Sequence, residues 1–180
     1  MSSLIIAGDT SGTVTLQAQA VSGTTTLTLP TTNGTIITTG NIPTGSVVQV
    51  VNATYSTQVS STSNSYADTG LTASITPSSS SNKILVIVNQ VSVYKAGADT
   101  SANIKLLRNA TNIVQFGVLV SATANTSNVV TSTGTSYLDS PATTSSITYK
   151  TQFNNNTPAG TVYVQLDGGV STITLMEIKG

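Results

Sequence analysis

No window of this chain carries the i, i+3, i+4 apolar spacing of an amphipathic helix; its apolar residues alternate with small polar ones in short runs. A chain patterned in this way must satisfy its backbone by pairing strands. Ser and Thr make up 59 of the 180 residues, and Thr shares with Val and Ile a branched β-carbon that packs well on a pleated surface. Three such runs fall within residues 1–45. Residues 13–18 and 24–29 alternate strictly, with Leu27 and Leu29 on one face, and residues 34–39 follow an Asn33-Gly34 turn. They recur weakly and bury too little to form a solenoid, so the segment reads as a short, extended β-arm. Gly40-Asn41-Ile42-Pro43-Thr44-Gly45 breaks any strand and sets the expected boundary between a 1–45 arm and a 46–180 head.

The head is more apolar. Strands are expected at 46–51, 71–76, 84–94, 104–108, 113–120, 145–153, 162–166 and 171–178. The 84–94 run is apolar on both faces in its first half, as a central strand would be. In 145–153, Ile147, Tyr149, Thr151 and Phe153 share one side. Asn109-Ala110-Thr111-Asn112 and Asp167-Gly168-Gly169 read as hairpin turns. About eight short strands without helices point to an all-β fold, an antiparallel β-sandwich or jelly roll; periodicity does not separate the two.

Composition narrows the chemistry. The chain has no His, Cys or Trp, and charged residues are 7% of the total. Imidazole, thiol and zinc-thiolate chemistry are therefore absent, and the expectation is a non-enzyme without a cofactor. Asp68, Asp99, Asp139 and Asp167 all adjoin turn-like sequence, where Asp bonds its own backbone. No Asp-x-Asp-x-Asp spacing suggests a calcium loop, so no metal is expected. Lys83, Lys95, Lys105, Arg108, Lys150 and Lys179 are scattered singly in a chain of net charge zero. Phosphate neutralisation needs clustered cations, so no nucleic-acid partner is expected. No apolar stretch is long enough for a membrane helix, and the first residues lack the basic start of a signal peptide; synthesis in a cytosol without cleavage is the expectation. Thr-x-Thr triplets such as Thr172-Ile173-Thr174 are irregularly spaced and read as solvated strand faces. Hydrophobic content of 38%, with 4% aromatics, implies a thin core and further burial between subunits.

Residues 7–39 resemble a segment near the N-terminus of many tailed-phage fibre and virion surface proteins. The likeness is carried by Ala7-Gly8-Asp9-Thr10-Ser11-Gly12-Thr13-Val14-Thr15-Leu16-Gln17-Ala18, Thr25-Thr26-Leu27-Thr28-Leu29-Pro30 and Gly34-Thr35-Ile36. Tyr66-Ala67-Asp68-Thr69-Gly70-Leu71, the run from Ile75-Thr76-Pro77 to Ile84-Leu85-Val86, and Ser171-Thr172-Ile173-Thr174-Leu175-Met176-Glu177-Ile178 resemble β-rich modules of phage structural proteins, notably from aquatic phages. The resemblance implies a homotrimeric virion surface protein with an N-terminal attachment arm, a β head and no catalytic residues. Two roles follow from it. The favoured one is a capsid decoration (cement) or head-fibre protein whose partner is the major capsid protein, because the chain is short, lacks a shaft and is poor in aromatics. The arm would add strands to a neighbour through Val14, Leu16, Leu27, Leu29, Ile36 and Ile37. The other is a tail-fibre or receptor-binding protein joined to tail proteins, with Tyr66 and Tyr137, expected to be exposed, as receptor contacts.

Overall fold

The computed structural model describes residues 3–7, 13–17, 31–33, 37–38, 40–124, 128–157 and 159–180. The chain divides into two compact units, Met1–Thr38 and Thr39–Gly180. In the first, β1 (Ser3–Ala7) and β2 (Thr13–Gln17) form an antiparallel hairpin that sets Leu16 opposite Leu4 and Val14 opposite Ile6. The strand expected at 24–29 lies outside the described residues, as does most of the one at 34–39. Ile37 and Thr38 are described and are not in a strand.

The second unit contains β3 (Val47–Tyr55), β4 (Val59–Ser61), β5 (Ala67–Ile75), β6 (Lys83–Ala96), β7 (Ala102–Arg108), β8 (Thr111–Val120), β9 (Val129–Asp139), β10 (Ile147–Asn155), β11 (Thr161–Val164) and β12 (Ser171–Ile178). One sheet has the order β5-β10-β7-β8; the other has β3-β12-β6, with β9 on the far side of β6 and with β11 and β4 continuing beside its second half. Setting aside the short β4 and β11, eight strands remain. Numbered along the chain, they lie in the orders 1-8-3-6 and 2-7-4-5. First pairs with last, second with seventh, third with sixth and fourth with fifth, all antiparallel. This is the winding of a long two-stranded ribbon into two facing sheets, a jelly roll. The choice between sandwich and jelly roll that periodicity left open is thus decided by which strands pair.

Inward positions build two apolar half-cores. The larger, at the base of the roll, includes Leu71, Ile75, Ile84, Val86, Ile147, Tyr149, Ile173 and Leu175. The smaller, at the other end, includes Val93, Ile104, Phe153, Val162 and Val164. Between them runs a buried polar belt. Thr69 Oγ1 and Thr151 Oγ1 share a hydrogen bond, Thr151 Oγ1 donates to Gln90 Oε1 (3.2 Å), and Gln90 Nε2 donates to Ser171 Oγ (3.0 Å). Gln165 Nε2 and the Val91 amide donate to the same Ser171 oxygen. Thr69 and Thr151 belong to one sheet, Gln90 and Ser171 to the other, so the belt ties the sheets across the core.

Several expectations change. Asp167-Gly168-Gly169 is not a hairpin turn: β11 and β12 do not pair with each other but lie in succession along β6, joined through a single 3-10 turn at Leu166–Gly168. The turn between β7 and β8 is only Asn109-Ala110, since Arg108 already pairs with Thr111. The largest omission is β9, eleven residues with Thr131, Thr133 and Thr135 facing inward and Ser132, Gly134 and Ser136 outward. Polar residues on both faces leave no alternation to detect. Gly134 fits closely there, because a β-carbon at that position would stand 2.6 Å from the Val88 carbonyl oxygen of β6.

Gly70 has φ +87° and faces the Tyr55 ring, which a β-carbon would meet at 2.1 Å. Gly70→Ala therefore combines a left-handed backbone with a clash between β5 and β3. It is expected to lower stability by at least about 2 kcal/mol in urea denaturation; an unchanged midpoint would contradict the packing of β3 on β5.

Candidate functional site

Alternating ribbons leave their connections at the two ends of the roll. At the end away from residue 47, the described loop segments 62–66, 97–101, 121–124 and 156–157 converge. Backbone bonds tie them together: Asp99 N to Thr123 O (3.2 Å), Asn156 N to Ser101 O (2.8 Å) and Asn155 N to Ser63 O (2.9 Å). Between them lies an open groove of about 410 Å³ lined by Asp99, Thr100, Ser101, Leu119, Ala122, Thr123, Ala124 and Thr157. Four residues that hold positive φ sit in the loops around it, Asp99, Leu119, Ser121 and Asn128. Side chains brace these turns. Asn103 donates to Asn156 Oδ1 (2.9 Å) and accepts from the Leu119 amide (3.0 Å), and Ser121 Oγ donates to Val93 O (3.1 Å). Lys95 is wholly buried below, with Nζ donating to Thr123 O at 2.7 Å.

The groove offers hydroxyls, one carboxylate and aliphatic carbon. This is a surface for hydrogen bonding and contact; its lining contains no nucleophile–base pair and no aromatic platform. Val118 and Leu119, both exposed, extend it with apolar surface. Among the described residues no group of three or more His, Cys, Asp or Glu stands close enough to hold a metal ion, and no helix is long and apolar enough to cross a membrane.

The residues singled out by sequence are placed as follows. Tyr66, expected to be exposed, is half-buried with Lys105 Nζ 3.8 Å from its ring centroid, and burial raises its phenol above the ordinary value. Tyr137 on β9 is likewise half-buried and packs against the larger half-core. The structure does not bring the two together in the groove. Val14 and Leu16 lie in the β1–β2 hairpin, Ile37 is exposed, and Leu27, Leu29 and Ile36 lie outside the described residues.

Two of the four aspartates depart from the turn role. Asp68 is in β5, where Lys150 Nζ (2.9 Å) and Gln152 Nε2 (2.8 Å) donate to it. Asp139 ends β9 and is buried; Arg108 Nη1 donates to both of its oxygens and the Tyr149 hydroxyl donates at 2.6 Å. Burial, and then this bond to Asp139, push the Tyr149 phenol far above its ordinary value. The cluster joins β9 of one sheet to β7 and β10 of the other at the base of the roll.

Sequence reasoning passed over Glu177. It points inward from β12 without a cation in the ion pairs of the described residues, and is held by neutral donors: Gln49 Nε2, Asn82 Nδ2, and the amide (2.7 Å) and hydroxyl (2.8 Å) of Ser78. Burial raises its pKa, but these hydrogen bonds outweigh that effect and hold the carboxyl below its usual value. The Pro77–Asn82 turn is thereby fastened to β12 and β3.

No family model and no curated protein matches the chain. Solved structures with similarity include those of infectious bursal disease virus. The VP2 subviral particle aligns at 11% identity and TM-score 0.42, covering 74% of this chain and 38% of that one. The Gt strain structure aligns at 11% identity and TM-score 0.43, covering 97% of this chain and 46% of that one. The chain thus spans less than half the length of either.

Because Glu177 releases its proton at lower pH when folded than when unfolded (ordinary value about 4.3), the unfolded chain binds more protons between those two values. Stability therefore rises with pH in that window, is fully present above it, and is lost as pH falls through the folded value. Asp68, also held below its ordinary value despite its burial, by bonds from Lys150 and Gln152, acts in the same direction. Glu177→Gln should start about 1.5–3 kcal/mol less stable at neutral pH and show a flatter decline on acidification. Urea midpoints measured across that range check both; an equally steep decline would place the acid sensitivity elsewhere.

Proposed function

We propose that this chain is a non-enzymatic virion structural protein of a tailed phage: a homotrimeric capsid decoration (cement) or head-fibre protein on the virion surface, made in the host cytoplasm. The observation that carries this reading is the jelly-roll winding of the second unit, an architecture used by viral capsid and lectin domains, in a chain whose N-terminal segment resembles phage attachment segments. Fold does not fix function; the site chemistry points the same way. The converging loops offer a contact surface of hydroxyls, aliphatic carbon and one carboxylate, and no reacting constellation.

The attachment mechanism is mechanical. The chain enters the roll at its base, where Gly45 N donates to Lys179 O (2.8 Å) and Lys179 N to Ser46 O (2.9 Å). Load from anything held by the preceding residues reaches the base, where the Arg108–Asp139–Tyr149 cluster and the Glu177 clamp join strands. The β1–β2 hairpin and the apolar positions Val14, Leu16, Leu27, Leu29, Ile36 and Ile37 are proposed to engage the major capsid protein by strand addition. Weak single contacts repeated over a shell reinforce it through multivalency. The alternative, a short tail fibre or receptor-binding protein joined to tail proteins, draws on the apolar rim of Val118 and Leu119 beside the groove.

An antibody against residues 46–180, applied to particles and viewed by electron microscopy, is expected to label the head. Label confined to the tail would transfer the assignment to host attachment. Deleting residues 1–40 should leave a folded β protein that no longer associates with particles; retained association would overturn attachment through the first unit.

A further inference from the structure

The two outer faces of the jelly roll differ in chemistry. On the β5-β10-β7-β8 sheet the outward positions carry Asp68, Lys150 and Lys105, the last over Tyr66. On the opposite sheet the register aligns Val50 of β3, Met176 of β12, Leu85 of β6 and Leu138 of β9 in one row across all four strands. Val50 and Leu138 are 55% and 49% exposed. Toward the loop end a second row aligns Tyr163, Tyr94 and Val130, the two rings 5.4 Å apart. Ile87, aligned with Thr174 and Ser136, and small hydroxyl and amide residues fill the space between. Lys83, at the margin, is the one charged residue among the outward positions of these strands.

We infer that this face is buried against a second copy of this chain. The inference rests on the self-association proposed above and locates it. Two arguments select the occupant. A face without acidic residues and with a single marginal lysine can turn toward the same face of two neighbouring copies around a three-fold axis without like-charge repulsion, whereas a partner chosen by charge would find nothing to read there. The extent also fits. Fourteen residues of β6, at about 3.3 Å each, run roughly 46 Å, and four strands about 4.8 Å apart cover roughly 19 Å. The product, about 870 Å², is close to the roughly 800 Å² that each partner contributes to a stable interface. An uncovered apolar row of this breadth is unusual on a monomer.

The test uses the full chain. Light scattering and sedimentation velocity should give a three-copy mass for the wild type and a one-copy mass for Val50→Lys with Leu138→Lys, whose side chains lie outside both half-cores. Circular dichroism verifies that the variant retains its fold. Because the chain has no cysteine, Ser136→Cys, outward on β9 within the same face, supplies an independent probe. Maleimide should label it about tenfold more slowly in the assembled protein than in the Val50→Lys/Leu138→Lys background. A three-copy mass that survives the double substitution, or equal labelling rates, overturns the face as the interface and leaves trimerisation standing. A two-copy wild type dissociated by the same substitutions supports the face and overturns the trimer. A monomeric wild type, with Ser136→Cys protected only on particles, assigns the face to another virion protein and overturns the inference.

Discussion

The residues of β6 lie against three other strands, and this element, the longest of the second unit, is the one around which its sheet is built. Its first half bonds to β12, its second to β11, and its other edge to β9 throughout. An irregularity between Gln90 and Val93 separates the halves. It allows the inward positions to continue as Ile84, Val86, Val88, Gln90, then Val93 and Lys95. Without that step the strand's second half would turn its apolar residues outward, since a one-residue slip exchanges the faces of a strand. The division into two half-cores, the place of the polar belt and the handover from β12 to β11 all follow from it.

A chain so poor in aromatics cannot rely on volume alone. It closes its interior with hydrogen bonds that bridge elements distant in sequence. The Thr69–Thr151–Gln90–Ser171 belt joins the sheets at mid-height, Asp139 with Arg108 and Tyr149 joins them at the base, and Glu177 fastens a turn to a central strand. Each set buries polar atoms, which is costly if they are left unpaired and specific when they are satisfied. Gln165 Oε1, buried at the edge of the belt, is one atom for which the protein supplies no partner. Such bonding favours one pairing of the ribbon over slipped alternatives that would bury the same Val and Ile residues.

The strands with apolar inward faces were legible in the sequence. The 145–153 alternation places Ile147, Tyr149, Thr151 and Phe153 inside, as observed, and the long apolar run at 84–94 is the central strand. Where inward residues are Thr, Ser or Gln, the signal fails, because period-2 reasoning takes hydroxyls as solvated. That is why β9 escaped and why the belt had no sequence signature. The aspartates misled for a related reason. Asp68 and Asp139 each stand two residues before a turn-former, Gly70 and Pro141, and only tertiary pairing with Lys150 and Arg108 reveals them as strand residues. The converging loops carry no motif at all; they become a candidate site through winding alone, which brings together segments up to about a hundred residues apart.

Low charge joins the fold to the role proposed for it. A net-neutral chain with few ions has little electrostatic means of keeping copies apart, and its surfaces meet others through hydroxyls, amides and aliphatic carbon. The few charges it has are mostly engaged inside or between strands: Asp139 and Glu177 are buried with their partners, Lys95 lies under a loop, and Lys150 is paired with Asp68. With these charges buried or placed on the opposite sheet, one broad sheet face carries only Lys83, at its margin. Neutral, flat contacts are weakly sensitive to ionic strength, a property suited to the attachment proposed above. The same economy that makes the interior depend on hydrogen bonds therefore makes the exterior suited to repeated self-contact.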